Sequence, residues 1–547
     1  MANPGPVQPT VVTTSPVTEE KVPAAVRFGL PLGLLVIVSI AFAPSLHNDF
    51  VAWDDDIMIT DNPHFRGLSP SHLAWMLTTF HAGHYEPLSW LSLALDYTVW
   101  GMNPVGYHLT NLLLHAMAAV VFYGCAIVIL RRAFHSRSHP VALRAAAAMA
   151  AAVFAIHPLR VECVAWATSR RDVLSGLLYF SAVLAYVRAH EASSPATGRK
   201  WLGFSLGSFA LSLLADAWGM TLPVVLLALD IYPLGRFRAG GEARRRVLLE
   251  KVPFVGLGLA AAAVAALAAW PEAATLPLGN HGAAARLAQA TYGLVFYCWK
   301  TVFPFRLSPL YLLEPHLDPA APRYVASLLV VIGITAVASL LWHRWPWLLL
   351  AWLSYVFIVS PVLGLLQSGP QIAADRYTYL ASAPFALLLG AASYRLWLGA
   401  RRSTLAGAGA LALVTTLGVL GALTFRQTMV WRNSATLWTH AIEVDPSNYM
   451  AYTNRAWDMQ VRGDQKGALS DLNEALRINP EDPLARNNRG ALRQANGDLR
   501  GALEDYEAGL RFALVGSRAY VLLTGNMAPW KQELQRLHAH EKAASPP

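Results

Sequence analysis

Apolar runs that approach or reach the length of a membrane-crossing helix, about 20 residues, recur along most of the chain and are separated by short polar segments. They predict spans at 28–46, 107–130, 145–156, 173–189, 201–215, 219–233, 252–270, 324–342, 346–366, 377–398 and 404–424, with the fifth and sixth forming a tight hairpin around Asp216. The segment 286–303 is also apolar and aromatic, but it carries Arg286 and Lys300 and ends at Pro304. It is read as an amphipathic helix lying in the interface, which gives eleven crossings; if it crossed, there would be twelve. Basic residues gather in alternate loops: Arg131, Arg132, Arg137 and Arg144; Arg199 and Lys200; Arg236 to Lys251; His343 and Arg344; Arg395, Arg401 and Arg402. The positive-inside bias makes those loops cytoplasmic, together with a Pro/Thr/Val-rich tail (1–27) expected to be disordered. The loop 48–106 and the C-terminal part then lie on the outer face.

After residue 426 the spacing changes. Pro446 recurs at Pro480, a shift of 480 − 446 = 34, and the same shift carries Asn454 to Asn488, Arg455 to Arg489, Gly463 to Gly497, Asp464 to Asp498, Ala468 to Ala502 and Leu476 to Leu510. A period of 34 with small residues where two helices meet is the tetratricopeptide pattern. The expected organisation is a membrane domain over 28–425, repeats at 447–480 and 481–514 within 426–515, a half-repeat before them at 432–445, and a cap or tail at 516–547. The fold class is therefore all-α, a polytopic membrane domain followed by a small soluble repeat domain.

Composition narrows the class without changing the outline. Hydrophobic residues make up 55% of the chain and charged residues 14%. The net charge of +9 would suggest nucleic acid in a soluble protein, but its sources lie in the cytoplasmic loops, so no nucleic-acid partner is inferred. Cys125, Cys163 and Cys298 form neither a disulfide framework nor a zinc pattern.

Against this apolar background, the triplet Asp54-Asp55-Asp56 stands out immediately after the first span. Adjacent carboxylates raise one another's pKa when partly dehydrated, which suits a general base or a cation site. A solvated loop or a helix cap is the ordinary alternative. The outer loops also hold His84 and Tyr85, then His157 and Glu162, then Arg170 and Arg171, and later Arg376. Guanidinium forks match phosphate oxygens, although interfacial arginines also snorkel with no further role. Three adjacent Asp could hold a divalent cation, yet no further ligands accompany them, so no cofactor is firmly implied.

The segments GHYEPLSWLSLALDYTVWGMNPVGYHLTNLLLH (83–115), FAIHPLRVECVAWATSRRDVLSGL (154–177), TLPVVLLALDIYPLGR (221–236) and ADRYTYL (374–380), followed by Trp431-Arg432 and the repeats, occur in that order. Together they resemble the transmembrane and tetratricopeptide repeat (TMTC) proteins, in particular their bacterial relatives, over roughly 30–515. The resemblance implies a GT-C glycosyltransferase of the protein O-mannosyltransferase type. Such an enzyme transfers a sugar from a polyprenyl-phosphate carrier to a hydroxyl acceptor, protein Ser/Thr in eukaryotic members, on the non-cytoplasmic face. Carried onto this chain, it implies Asp54 as base in an inverting displacement, with Asp55 positioning it and Asp56 a bystander. Arg170, Arg171 and Arg376 would meet the donor phosphate; Glu162, His157, His84 and Tyr85 would contact or orient substrate. Further implications are an acceptor polypeptide bound by the repeats, surrounding membrane lipid, and placement in a bacterial inner membrane with the repeats periplasmic.

One position departs from the pattern. Relatives carry a lysine before the TLPVVLLALD segment, where this chain has Asp216-Ala217. An anion on the outer face would repel a phosphate unless an arginine such as Arg170 pairs with it. A non-catalytic scaffold whose repeats recruit an envelope protein accommodates Asp216 but leaves the outer acids and arginines unexplained. A transporter is disfavoured because charges inside the spans are scarce.

Overall fold

The computed structural model describes residues 22–134, 139–273, 282–314, 317–365, 369–399, 405–515 and 517–530. Most of the expected disordered tail and the end of the expected cap lie outside these residues; within them, the first helix already begins at Ala24. The described residues are almost entirely helical, and one two-stranded pairing, Tyr311–Leu312 with Gln371–Ala373, ties two outer loops together.

Helices occupy every apolar run: Ala24–Phe42, Pro104–Phe134, Pro140–Ala155, Arg170–Ala189, Pro195–Ala215, Leu222–Ile231, Gly241–Ala273, Pro322–Leu340, Pro346–Val359, Ala383–Gly399 and Leu405–Val430. Among the described residues, six helices are long and apolar enough to cross a bilayer, or seven if the bent pair Pro140–Ala155 and Pro158–Ala165 counts as one span. The remaining expected crossings fall on helices that are shorter or more polar. Several are broken by proline, as at Pro158, where the axis turns by 57°. The segment expected to be amphipathic is a helix, Ala283–Val302. It buries Ala288, Leu294 and Tyr297 and exposes Leu287, Trp299 and Val302. The chain is thus an all-α, multi-pass membrane protein.

The repeat period returns as geometry. Helices Ser434–Val444, Tyr449–Val461, Gln465–Ile478, Pro483–Ala495 and Leu499–Leu510 follow one another, with Gly463 and Gly497 at φ +85° and +82° ending the second and fourth. Only glycine takes that conformation without strain. Asp464 and Asp498 each cap the next helix at 2.9 Å. Arg455 grips Asp471 at 2.7 and 2.9 Å, and 34 residues later Arg489 grips Asp505 at 2.9 and 2.6 Å. Between the helices, Ala456, Ala468, Leu472 and Ala475 form a dry seam.

The repeats rest on the first loop. Asp49 N–H donates to Arg432 O at 2.8 Å, Ala52 N–H donates to Ser434 Oγ at 2.8 Å, and Trp53 meets Trp438 edge-on at 5.1 Å. First loop and repeats therefore lie on the same side of the helices.

Candidate active site

The acidic triplet leaves the membrane through a 3-10 turn, Ala43–His47, and enters a wide turn in which Asp61 N–H donates to Asp56 O at 2.8 Å, one residue beyond α-helical spacing. Such π-type turns are frequent at functional sites. Here the turn aims the three carboxylates in different directions.

Asp55 points inward. Its oxygens accept Val51 N–H at 2.9 Å, Thr168 N–H at 2.9 Å and the Thr168 hydroxyl at 2.6 Å. It is buried, and burial pushes its carboxyl up to about 7 against those three donors. These bonds tie the first loop to the Ser169-Arg170-Arg171 corner. Asp56 faces the repeat side, 3.6 Å from Arg518. Asp56 therefore does not cap a following helix.

Asp54 is half-buried. Burial pushes its carboxyl up to about 6, while the guanidinium charges of Arg171 and Arg376 pull the other way. His84 is exposed and lies in the field of the same two cations, Arg171 and Arg376.

Both arginines have carboxylate neighbours. Arg171 lies 3.6 Å from Glu86, and Arg376 is paired with Glu162, which also accepts Arg376 N–H at 2.7 Å. Arg376 further lies 4.9 Å from the Tyr377 ring and 5.5 Å from that of Trp166. Burial pushes the Glu86 carboxyl up to about 7, opposed by Arg171. Asp216 also feels Arg171 and Arg376, and its carboxyl accepts Trp218 N–H at 3.2 Å; burial still raises it. Carboxylates thus outnumber guanidinium groups here. Several buried atoms of the cluster have no hydrogen-bond partner: Arg171 Nη1, Glu86 Oε2, Asp172 Oδ2 and Trp218 Nε1. Native proteins seldom leave such groups unmet unless something else uses them.

Other expected site residues are engaged elsewhere. The Arg170 guanidinium is fully buried and divides its donors among Asp96, Asn111, Ser92 (2.8 Å) and Tyr107 O (2.9 Å). It pairs with Asp96, and Asp216 is answered by Arg171. His157 caps the turn at Pro158, its Nδ1 accepting Leu159 N–H at 3.2 Å, and its Nε2 meets Thr301 O at 3.0 Å. Tyr85 donates to Leu77 O at 3.0 Å. Asp54, His84, Arg171, Arg376 and Glu162 are the expected residues that share one electrostatic cluster. Sequence reasoning did not single out Glu86, Asp172, Thr168 or Trp218. The charge of Glu86 two positions after His84, and of Asp172 directly after Arg171, was the available signal.

The motif segments hold this cluster from several directions. Arg160 donates to Thr378 O at 2.8 Å and to the Thr378 hydroxyl at 2.5 Å, and His115 Nδ1 meets Tyr379 OH at 2.8 Å. Gly176 leaves room for the Tyr379 ring, which any larger side chain would strike.

No family model matches the chain. Among curated proteins, it is 30% identical over 244 residues to "Protein O-mannosyl-transferase TMTC4" of Homo sapiens, covering 41% of this chain and 32% of that one. It is 24% identical over 488 residues to "Protein O-mannosyl-transferase TMTC1" of Homo sapiens (79% and 53%) and 23% identical over 456 residues to "Protein O-mannosyl-transferase Tmtc3" of Drosophila melanogaster (72% and 48%). The chain spans from a third to about half the length of these relatives. With its membrane helices, its 34-residue repeats and these similarities, the chain is similar to the TMTC proteins in both architecture and sequence.

Proposed function

We propose that this protein is a membrane glycosyltransferase that moves a sugar, mannose by analogy, from a polyprenyl-phosphate carrier to a hydroxyl of a protein acceptor. The relatives' names supply the sugar and the acceptor class. The observation that carries the chemistry is a half-buried carboxyl, Asp54, raised to about 6 and faced by Arg171 and Arg376. A base near its operating pH with cations across from it matches a reaction that takes a proton at one end and releases an anion at the other.

In this reading Asp54 accepts the proton of the acceptor hydroxyl as that oxygen attacks the anomeric carbon. The bond from that carbon to the carrier phosphate breaks, the configuration inverts, and the phosphate leaves against Arg171 and Arg376. No enzyme nucleophile is required, in contrast to a retaining carboxylate pair. Asp55, held by Val51 and Thr168, positions Asp54. The surplus of acids would repel a phosphate if every carboxyl were ionised. Burial pushes Glu86 up to about 7, where it is partly protonated, and raises Asp216 as well, which offsets that repulsion. Among the described residues no three His, Cys, Asp or Glu groups converge as a metal-ligand set, and the Asp triplet itself diverges, so no step here is routed through a metal. The repeats, docked on the Asp54 loop, are suited to delivering an acceptor polypeptide to it. The reaction is assigned to the non-cytoplasmic face of a bacterial inner membrane on the positive-inside bias and the resemblance to bacterial relatives.

The decisive test is transfer from a polyprenyl-phosphate mannose by purified wild type and Asp54→Asn. Loss of transfer with an unchanged unfolding midpoint supports the proposal; undiminished transfer removes Asp54 as base. Transfer absent from wild type with every polyprenyl-linked sugar offered would favour the scaffold reading.

A further inference from the structure

Besides the acid and arginine cluster, the membrane domain contains a second feature that the proposed transfer does not use. A cavity of about 430 Å³ lies between helices Pro104–Phe134, Arg170–Ala189, Leu222–Ile231, Pro346–Val359 and Ala383–Gly399. That volume is within the range of about 300–1,000 Å³ typical of small-molecule sites. Its inner wall is apolar, with Phe180, Val183 and Leu387 among the lining residues. Its mouth is different: Trp345, Trp347 and Arg395 line it, and Arg344 lies 5.6 Å from the Trp345 ring. The Arg395 guanidinium is exposed, lies 5.3 Å from the Phe134 ring and has no ion-pair partner among the described residues. On this side Arg131 and Arg132 are matched by Glu191 and Arg236 by Asp230 and Glu250, while Arg144, Arg188 and Arg344, like Arg395, have no ion-pair partner among the described residues; of these Arg395 is the one that lines the cavity.

We infer that this cavity is a binding site for an anionic phospholipid, with one acyl chain inside the helix bundle and the headgroup phosphate on Arg395. An apolar slot suits a hydrocarbon chain, tryptophans mark the headgroup level, and an unpaired cation there selects for negative charge. Most of the lining side chains are apolar, with the hydroxyls of Tyr179 and Ser354 among the few polar groups a soluble ligand could meet. The inner end of the cavity reaches Leu380, in the same segment as Arg376, and its mouth is the end remote from the proposed donor phosphate. Along helix Arg170–Ala189, Val183 lies about 18 Å from Arg171 at the rise of a regular helix, and Arg395 is at the mouth beyond it. A lipid with its headgroup at Arg395 belongs to the leaflet opposite Arg171, so the inference stands whether or not the protein transfers sugar.

Full-length protein in phosphatidylcholine nanodiscs containing a minority of phosphatidylglycerol, and separately with added polyprenyl phosphate, would be released for native mass spectrometry. Wild type should retain phosphatidylglycerol about tenfold above its share, the scale of one charge-assisted contact. Arg395→Gln should abolish that enrichment, Arg395→Lys should keep most of it, and Ala391→Trp, which fills the slot, should lose the lipid whatever its headgroup. Unfolding midpoints of all variants establish that each is folded. Equal retention of the two phospholipids by wild type, enrichment unchanged in folded Arg395→Gln, or polyprenyl phosphate retained in place of phospholipid would each overturn the inference.

Discussion

Two charged clusters sit toward opposite faces of the membrane domain, and they are built differently. At one end of the helices, Asp230 is fully buried and receives the Tyr186 hydroxyl at 2.7 Å, Lys251 at 2.5 Å and Arg236 at 3.0 Å; Arg236 also holds Glu250 with two bonds of 2.8 Å. Two cations meet two anions and the donors are used. On the other face, Arg171 Nη1 and Glu86 Oε2 meet only each other, in a long ion pair of 3.6 Å, Asp172 Oδ2 has no hydrogen-bond partner, and acids exceed bases. A closed network contributes to holding helices in place; an open one keeps groups available for a ligand. The chemistry of the side chains is the same in both, so the difference in pairing is what separates a structural cluster from a candidate site.

The largest expected effect tests the open cluster. Asp54→Asn should lower transfer by about 10²–10⁴-fold, the range for a general base, measured as single-turnover sugar transfer at saturating donor. Asp230→Ala tests the closed one. It strands the buried Lys251, while Arg236 keeps Glu250, and should cost about 3–5 kcal/mol of stability, seen in denaturant or thermal unfolding, while transfer per folded molecule stays near wild type. If Asp230→Ala instead abolished transfer in folded protein, the contrast between the two clusters would collapse. Arg171→Ala should weaken the reaction by roughly 10–100-fold, the worth of a charged hydrogen bond, and more in donor KM than Arg171→Lys, which keeps the charge but not the fork. A pH profile comes next. With Asp54 at about 6, the rate should rise tenfold between about pH 5 and its plateau above 7, and a flat profile would argue against Asp54 as base.

The smallest effect concerns stability. The folded value for Asp54, about 6, lies above the ordinary 3.8, so the folded state holds this proton more tightly than the unfolded chain. The associated stability is present below the ordinary value and is lost as pH rises through about 6. Asp54→Asn should therefore match wild type in melting temperature at acid pH and gain a small advantage above pH 6. An advantage that shrinks with rising pH would contradict the burial assigned to Asp54.

Some of this molecule is legible before any coordinates. The apolar runs foretell the helices because a bilayer leaves backbone groups no other way to be satisfied, and helix ends fall within a few residues of the run ends at 189, 215 and 342. The 34-residue period foretells the repeats down to the Arg455–Asp471 and Arg489–Asp505 pairs, because each repeat must present the same faces to its neighbour. The site is legible only in part. Asp54 and Arg376 could be singled out, but Arg170 and Arg171 are adjacent and chemically identical. Successive positions on a helix point about 100° apart, and packing alone sends Arg170 to Asp96 and Arg171 to Glu86.

By itself, then, the sequence determines the membrane class, the repeat domain and the family resemblance. These follow from periodicity and local motifs, which depend on residues near one another in the chain. What the tertiary structure decides is which charges remain open. Asp55 is tied down by Thr168, Asp56 faces Arg518 and Asp216 comes under Arg171. Those pairings join residues dozens to hundreds of positions apart, and electrostatic interaction falls off with distance in space, not along the chain.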